Sequence, residues 1–488
     1  MPMDDRPVTW HLPVMLGAIA GRSVVAPPQD VLGNNLEPGD SDAIIAWLNR
    51  RAPRAQAYVL SSDMLAYGGL VPSRVPGPSY VDAYTRLREI DHLHARYGNA
   101  WIGVFGTVMR LAPTGVPATT PYFAPYPIWS YIQQYANLHD PLEPSEFDEA
   151  QRLRALIGEP TLDQYLQTRA RNYAVDRLLL DKARAGSIDR LVLGQDDAKP
   201  YGLHVPEVQA LQAYLDANDL QPRASIEPGA DELGMALVAH ALARDAHWVP
   251  RIAVHYSTPQ GALYQDPLEY TAIGSTIDRL IALCGAAHDD AVPDISLYVR
   301  VPGTGAALDA AFLAAIRADL DAGRSVAVVD LSFEKSYDDQ KAFANTLLDS
   351  GLARRLDAYS AWNTDANTVG TALAEAIAAG VGRRLHTYNA LAHQTFTYVR
   401  FVDDVDFHVD VRPALNAWLA AQGVTDHTLL SPDFAAATAL RNRELLWYEA
   451  QTTLTRLYPQ LHIAAMSITL PWDRTFETQI DVSLAPNL

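Results

Sequence analysis

The chain has 488 residues, 49% of them hydrophobic and 19% charged, with a formal net charge of −19 from 38 basic and 57 acidic side chains. That composition describes an ordinary globular protein with room for two domains or one elaborated barrel, and it excludes a disordered or low-complexity chain. The acidic balance, with no run of Lys and Arg to serve as a phosphate footprint, argues against nucleic acid or an anionic membrane as partner and favours neutral small molecules or glycans.

A single cysteine, Cys284 in an apolar helical pattern, excludes a disulfide framework, a zinc ribbon and an Fe–S site. No segment has the length of a membrane span, and no charged leader precedes an apolar core at the N-terminus, so the expected location is cytoplasmic. Asp4-Asp5-Arg6-Pro7 follows Met1 almost at once. A charged cluster of this kind normally follows a strand, which suggests a native start further upstream.

In chain order, Val24 to Pro28 and Ala57 to Ser61 read as strands flanking a helix from Asp42 to Arg51, a βαβ rhythm. The second strand opens into Ser62 to Arg74, a loop offering Asp63, Tyr67 and Arg74 around Gly68-Gly69. Capping accounts for Asp63 and a surface ion pair for Arg74 about as well as ligand binding does. A helix from about Tyr80 to Tyr97 leads to a strand from Trp101 to Arg110. Pro113 to Tyr135 then reads as a long loop of lid or specificity type, with Tyr122, Phe123, Tyr126 and Trp129 able to stack on a sugar or to pack the loop onto its scaffold.

Two amphipathic helices over Glu143 to Ala185 precede the central strand, Leu-Val-Leu-Gly-Gln, which ends in Asp196 and Asp197. Ligands of parallel α/β proteins meet the carboxyl ends of strands. Two adjacent carboxylates repel, and the relief is that one retains a proton near neutral pH, setting an acid beside a base. A helix cap explains one Asp, but a pair less well, since Pro200 and Gly202 imply further loop.

A helix from Val205 to Asp216 follows, then strands at Arg223 to Pro228, Arg251 to Ser257 with Tyr256 at its end, Ser296 to Arg300 and Ser325 to Leu331. Asp231 and Glu232 read as helix caps. A last strand enters at Ala358 and meets Trp362, Asn363, Asp365 and Asn367 ahead of an Ala-rich helix, more polar groups than capping requires. Residues beyond 380 turn mainly helical and close in a strand pair, Ala464 to Leu470 and Gln479 to Ser483. The organisation expected is a parallel α/β catalytic domain over residues 1–380, (β/α)8 TIM-barrel-like rather than an open sheet, and a helical C-terminal region over 381–488.

No Walker loop, Gly-x-Gly-x-x-Gly, His-Glu-x-x-His or Gly-x-Ser-x-Gly occurs, and the 14 histidines are scattered, His204, His255 and His408 standing singly. Asp4-Asp5-Arg6-Pro7, Ser62 to Arg74, Gln195-Asp196-Asp197-Ala198 with Tyr201-Gly202, Trp362-Asn363-Thr364 with Asn367 and Gly370, and Pro471-Trp472 with Arg474, Phe476 and Glu477 together resemble the bacterial domain-of-unknown-function family 4127 over nearly the whole chain. That resemblance carries no activity.

The Asp pair, with a Trp and an Asn at later strand ends, also resembles the retaining N-acetylhexosaminidases of glycoside hydrolase family 84, whose nucleophile is the substrate's own 2-acetamido group. The resemblance implies an exo-β-N-acetylhexosaminidase that needs no cofactor. Asp196 would polarise the acetamide N–H and Asp197 would be the general acid and then base. Tyr256 or Asn363 would bind the acetamide oxygen, Trp362 would wall the acetyl pocket, and Asp63, Arg74 or Asp365 would bind hydroxyls, with Tyr67 and Asn367 as further substrate-binding residues. The expected partner is a small glycan or glycoside, and a homo-oligomer is compatible with the sequence. The rival readings are a hydrolase with Asp4, Asp5, Asp196 and Asp197 around Mg²⁺ or Mn²⁺, and a non-catalytic glycan-binding protein.

Overall fold

The structure, a computed structural model, describes residues 1–35, 37–112, 144–196, 198, 202–267 and 269–487. The expected lid from Pro113 to Tyr135, with its four aromatics, and Asp197 and Tyr201 lie outside them. The chain forms two compact units. One comprises Met1–Asp5, Pro27–Gly234 and Pro267–Thr271; the other comprises Arg6–Ala26, Met235–Asp266 and Ala272–Leu488.

The first unit is built on four parallel strands, β1 (Ala57–Ser61), β2 (Trp101–Val108), β3 (Arg190–Gln195) and β4 (Ala224–Pro228), ordered β1-β2-β3-β4. All residues of β2 and β3 are buried, which is why they read as continuous apolar runs rather than as alternations. Helix Tyr80–Arg96 joins β1 to β2 and starts in a reciprocal capping box between Ser79 and Asp82. Helices Pro144–Ile157 and Glu159–Ala185 precede β3, and His204–Ala217 follows it.

The second unit carries β5 (Arg251–Tyr256), β6 (Ala287–His288), β7 (Ile295–Arg300), β8 (Ser325–Asp330) and β9 (Ala358–Ser360), all parallel, ordered β6-β5-β7-β8-β9. Its closing pair is antiparallel, β10 (Leu461–Thr469) with β11 (Gln479–Pro486). The ends of β7 and β8 are fastened by Arg300, whose wholly enclosed guanidinium meets Asp309 at 2.9 Å, Asp330 at 3.2 Å and Asp339 at 2.8 Å. No helix among the described residues is long and apolar enough to cross a membrane.

The mixed α/β class with parallel sheets holds, but the closed eight-stranded barrel does not. Apart from the two-residue β6, successive strands are neighbours in each sheet, as barrel strands would be. Among the described residues, however, no pairing joins the two sheets and neither closes on itself. Alternation of strand and helix specifies parallel layering, whereas closure also needs a consistent tilt and stagger that alternation does not encode. Val24 to Pro28 is not a strand either, since Pro27 and Pro28 supply no N–H to a ladder. The boundary expected near residue 380 falls inside helix Asp365–Arg384 of the second unit.

Helix Ala390–Phe401 runs directly into a π-helix, Val402–Val411, and then into helix Arg412–Ala421. Pro413 has no N–H and its ring obstructs the carbonyl four residues back, so i→i+4 bonding must lapse there. The π-helix turns Asp404, Asp406 and His408 inward. Asp404 meets Arg400 at 3.0 Å, while His408 packs edge-on to Phe333. His408 is thus a core group, and burial drives its pKa well below the usual value.

Packing at the β3 and β4 ends is tight enough to test. A Cβ on Gly194 would lie 2.4 Å from the Gly229 carbonyl oxygen and 2.6 Å from Leu233 Cδ1. Gly194→Ala is expected to lower stability by about 1–3 kcal/mol through overpacking, read as a lower urea midpoint with unchanged slope.

Candidate functional site

In the first unit the ends of β1, β2 and β3 bring together residues distant in sequence. Ser61 ends β1 and caps the short helix Ser62–Tyr67 by accepting from the Met64 amide. Gly68 and Gly69 take φ of 86° and 147°, values that a side chain would resist, and turn the chain into helix Leu70–Ser73. This double turn puts Asp63 and Arg74 side by side in the interior. Helix Glu159–Ala185 clamps it from outside: Asn172 donates to the Ser73 carbonyl at 2.9 Å, Arg171 donates to the same carbonyl, and the Arg171 guanidinium lies 4.3 Å from the Tyr67 ring centre.

Arg74, itself 2% exposed, donates from Nη2 to Asp196 Oδ2 at 2.5 Å. Arg110, beyond β2, reaches the same oxygen from Nη1 at 3.4 Å. Arg110 is positioned in turn, since its carbonyl accepts from Arg169 Nη1 at 3.0 Å, and Arg169 forms a two-pronged pair with Glu207 at 3.0 and 2.5 Å. Asp196 is thereby fixed between two guanidiniums supplied by the β1 and β2 ends. Charge-assisted bonds of this kind are the stronger class and specify orientation.

Asp63 has the opposite environment. Only 4% exposed, it accepts from the Thr107 hydroxyl on β2 at 3.0 Å. Burial pushes its pKa up to about 7, against the opposing pull of Thr107, Arg74 and Arg171. Asp176, behind it on helix Glu159–Ala185, is raised well above the usual range by burial and by the Asp63 charge. Carboxyls with divergent environments at strand ends of one sheet, here β1 and β3 on either side of β2, are the pattern from which acid and base roles are made.

Sequence reasoning missed Arg110, Arg169, Arg171, Asp176 and Glu207. Arg110 was visible as a polar strand end; the helix residues gave no signal beyond helical periodicity. It also took Glu232 for a cap. This residue is fully buried beyond β4, and burial first, then the charges of Asp231 and Glu269, holds it well above the ordinary range. Asp4 and Asp5 are buried, and no group of three or more His, Cys, Asp or Glu among the described residues could hold a metal ion.

The other expected site residues belong to the second unit. Tyr256 ends β5, half-buried, its pKa pushed up to about 12 by burial and the Asp278 and Asp290 charges. Trp362 is 5% exposed and its indole N–H donates to Thr371 at 3.2 Å, so it packs inside the unit instead of standing as an open wall. Asn363 takes the left-handed turn, φ 54°, that Asn tolerates. Asp365 and Asn367 lie in the first turn of helix Asp365–Arg384, and Lys335 meets Asp365 at 3.1 Å.

The raised pKa of Asp63 has a stability signature. The folded state holds that proton to about pH 7, the unfolded chain only to about 3.8. Stability therefore falls as pH rises between these values, by roughly 4 kcal/mol for an isolated group at 1.36 kcal/mol per unit, and levels off above 7. Other buried acids add their own descents, so Asp63→Asn is expected to make the profile shallower by this share, measured as urea unfolding free energies at pH 4.5, 6 and 8. Parallel profiles for the two proteins would show that Asp63 does not hold its proton in the fold.

No curated protein and no solved structure matches the chain. Over residues 1–481 it matches the family described as Protein of unknown function (DUF4127), and the chain belongs to that family.

Proposed function

We propose that the chain is a glycoside hydrolase, an exo-β-N-acetylhexosaminidase acting on terminal N-acetylgalactosamine or N-acetylglucosamine. The observation that carries this reading is the pair of contrasting carboxyls at the β1 and β3 ends, on either side of β2: Asp196 fixed by Arg74 and Arg110, and Asp63 buried with a pKa of about 7.

In the proposed reaction the acetamide oxygen attacks C1 while the C1–O bond to the leaving group breaks. Asp196 accepts from the acetamide N–H, which raises the nucleophilicity of the carbonyl oxygen and stabilises the oxazolinium ring that forms. Asp197 protonates the departing oxygen, then takes a proton from the water that opens the ring at C1. Asp63 is a positioning residue. While it is neutral, it makes no ionic claim on Arg74; once ionised, it competes with Asp196 for that guanidinium.

Hydrolysis of 4-nitrophenyl β-N-acetylgalactosaminide and β-N-acetylglucosaminide, set against the matching β-galactoside and β-glucoside with and without EDTA, tests the reading. Turnover confined to acetamido sugars, indifferent to EDTA and reduced at least 100-fold in Asp196→Asn and Asp197→Asn, is expected. Absence of turnover on every acetamido sugar would reject the exo form. EDTA-sensitive turnover would favour the metal hydrolase with Asp4, Asp5, Asp196 and Asp197. Sugar binding that survives in Asp197→Asn, with no turnover by the wild type, would favour the glycan-binding reading.

The pH profile supplies a second test. Wild-type kcat/KM is expected to fall as pH rises through about 7, where Asp63 ionises. Asp63→Asn should lack that inflection, and its persistence would remove Asp63 from the mechanism.

A further inference from the structure

The second unit holds a polar cluster, Thr364, Asp365 and Asn367 beside Lys335, that takes no part in the proposed chemical steps. Helix Asp365–Arg384 begins just beyond β9 with Thr364 at its N-cap, the place where a Thr hydroxyl normally accepts from a first-turn amide, yet no side chain caps this helix. Thr364 is 8% and Asn367 3% exposed. Thr364 Oγ1 and Asn367 Oδ1 are nevertheless both without a hydrogen-bond partner among the described residues. A buried polar atom left unsatisfied is a standing cost, and two in one helical turn call for a partner that the described residues do not provide.

The neighbouring charges narrow what that partner is. Lys335, beyond β8, spends its three N–H bonds on the Leu331 carbonyl at 2.9 Å, Asp266 at 2.6 Å and Asp365 Oδ1 at 3.1 Å. Its ammonium therefore fixes Asp365 but has no donor left for a ligand. What remains is acceptor-rich: the Asp365 carboxylate, the Asn367 amide oxygen and the Thr364 hydroxyl. An anion would meet Asp266 and Asp365, and a cation would meet Lys335. A neutral ligand with several O–H donors suits all of them. The Lys335 side chain is 23% exposed, and Asn363, just before the cluster, takes a left-handed turn.

We propose that Asp365, Asn367 and Thr364 form a binding site for the vicinal hydroxyls of a neutral polyol such as a sugar ring, with Lys335 as the positioning residue that orients Asp365. The choice of a sugar rests on the glycoside reading; the requirement for a neutral hydroxyl donor does not.

Isothermal titration of the full chain with N-acetylgalactosamine, N-acetylglucosamine, sodium acetate and methylammonium chloride tests it. Saturable binding of a sugar and none of either ion is expected. Thr364→Val replaces an orphaned hydroxyl by a methyl of equal size, so it should raise the melting temperature while weakening sugar binding at least threefold. A Thr364 of merely structural importance would lower the melting temperature instead. Lys335→Met should weaken binding at least tenfold, and Thr364→Val keeps the test alive if Lys335→Met does not fold. Wild-type protein that binds neither sugar, a Thr364→Val that melts lower, or variants that bind as the wild type does would each overturn the proposal. If no glycoside is hydrolysed while sugar binding depends on Thr364 and Lys335, the hydrolytic reading fails and this one stands. If glycosides are hydrolysed and the two variants bind unchanged, the reverse holds.

Discussion

A guanidinium taken out of water has to find carboxylate, and the Arg74–Asp196 pair is where that requirement turns three strand ends into one site. Arg74 arrives from the turn after β1, Arg110 from the end of β2 and Asp196 from the end of β3. Removing one partner of a fully buried pair costs roughly 3–5 kcal/mol; with Asp196 18% exposed the cost here is smaller. Its larger effect is geometric, because a two-guanidinium cradle fixes which way the carboxylate points. The clamps by Arg171 and Asn172 and the Arg169–Glu207 pair all hold parts of that cradle in place.

The same rule runs through the second unit with different outcomes. Arg300 is satisfied by three acids and ties β7 to β8. Other acids are buried with too little positive charge, and burial raises Asp404 to about 7 and Asp406 to about 8. Together with Asp63 these groups keep protons near neutrality, so the folded chain is less negative than its formal charge of −19. Part of the acidic excess that argued for a neutral ligand is therefore internal. What reaches the solvent is a milder field.

Much of the scaffold was legible because its signals are local. Uninterrupted apolar runs gave every parallel strand but the two-residue β6 within a residue or two, with Val24 to Pro28 added in error, and the polar residues crowded at Ser62–Arg74, Asp196 and Trp362–Asn367 marked strand ends that the fold does carry. Partners were not legible. Nothing in the periodicity of Glu159–Ala185 distinguishes Arg169, Arg171 and Asp176 from solvent-facing residues, since burial of a charge depends on what lies opposite it after folding. Trp362 illustrates the converse: a Trp at a strand end looked like a ligand wall, and a Thr nine residues on took its N–H. Sheet closure was equally non-local, a matter of stagger between strands and not of their number.

The π-helix of Val402–Val411 constrains how this chain can diverge. Widened turns of this kind differ from an α-helix by their hydrogen-bond register, so rewinding the segment as an α-helix with its length unchanged would swing every later side chain around the axis. Arg412, now paired with Glu334, would rotate away from it, and the inward row of Asp404, Asp406 and His408 would be dealt to other faces. Relatives should therefore keep the spacing from Arg400 to Arg412 even where the intervening residues differ, making this stretch a fixed ruler against which the ancestry of the family can be aligned.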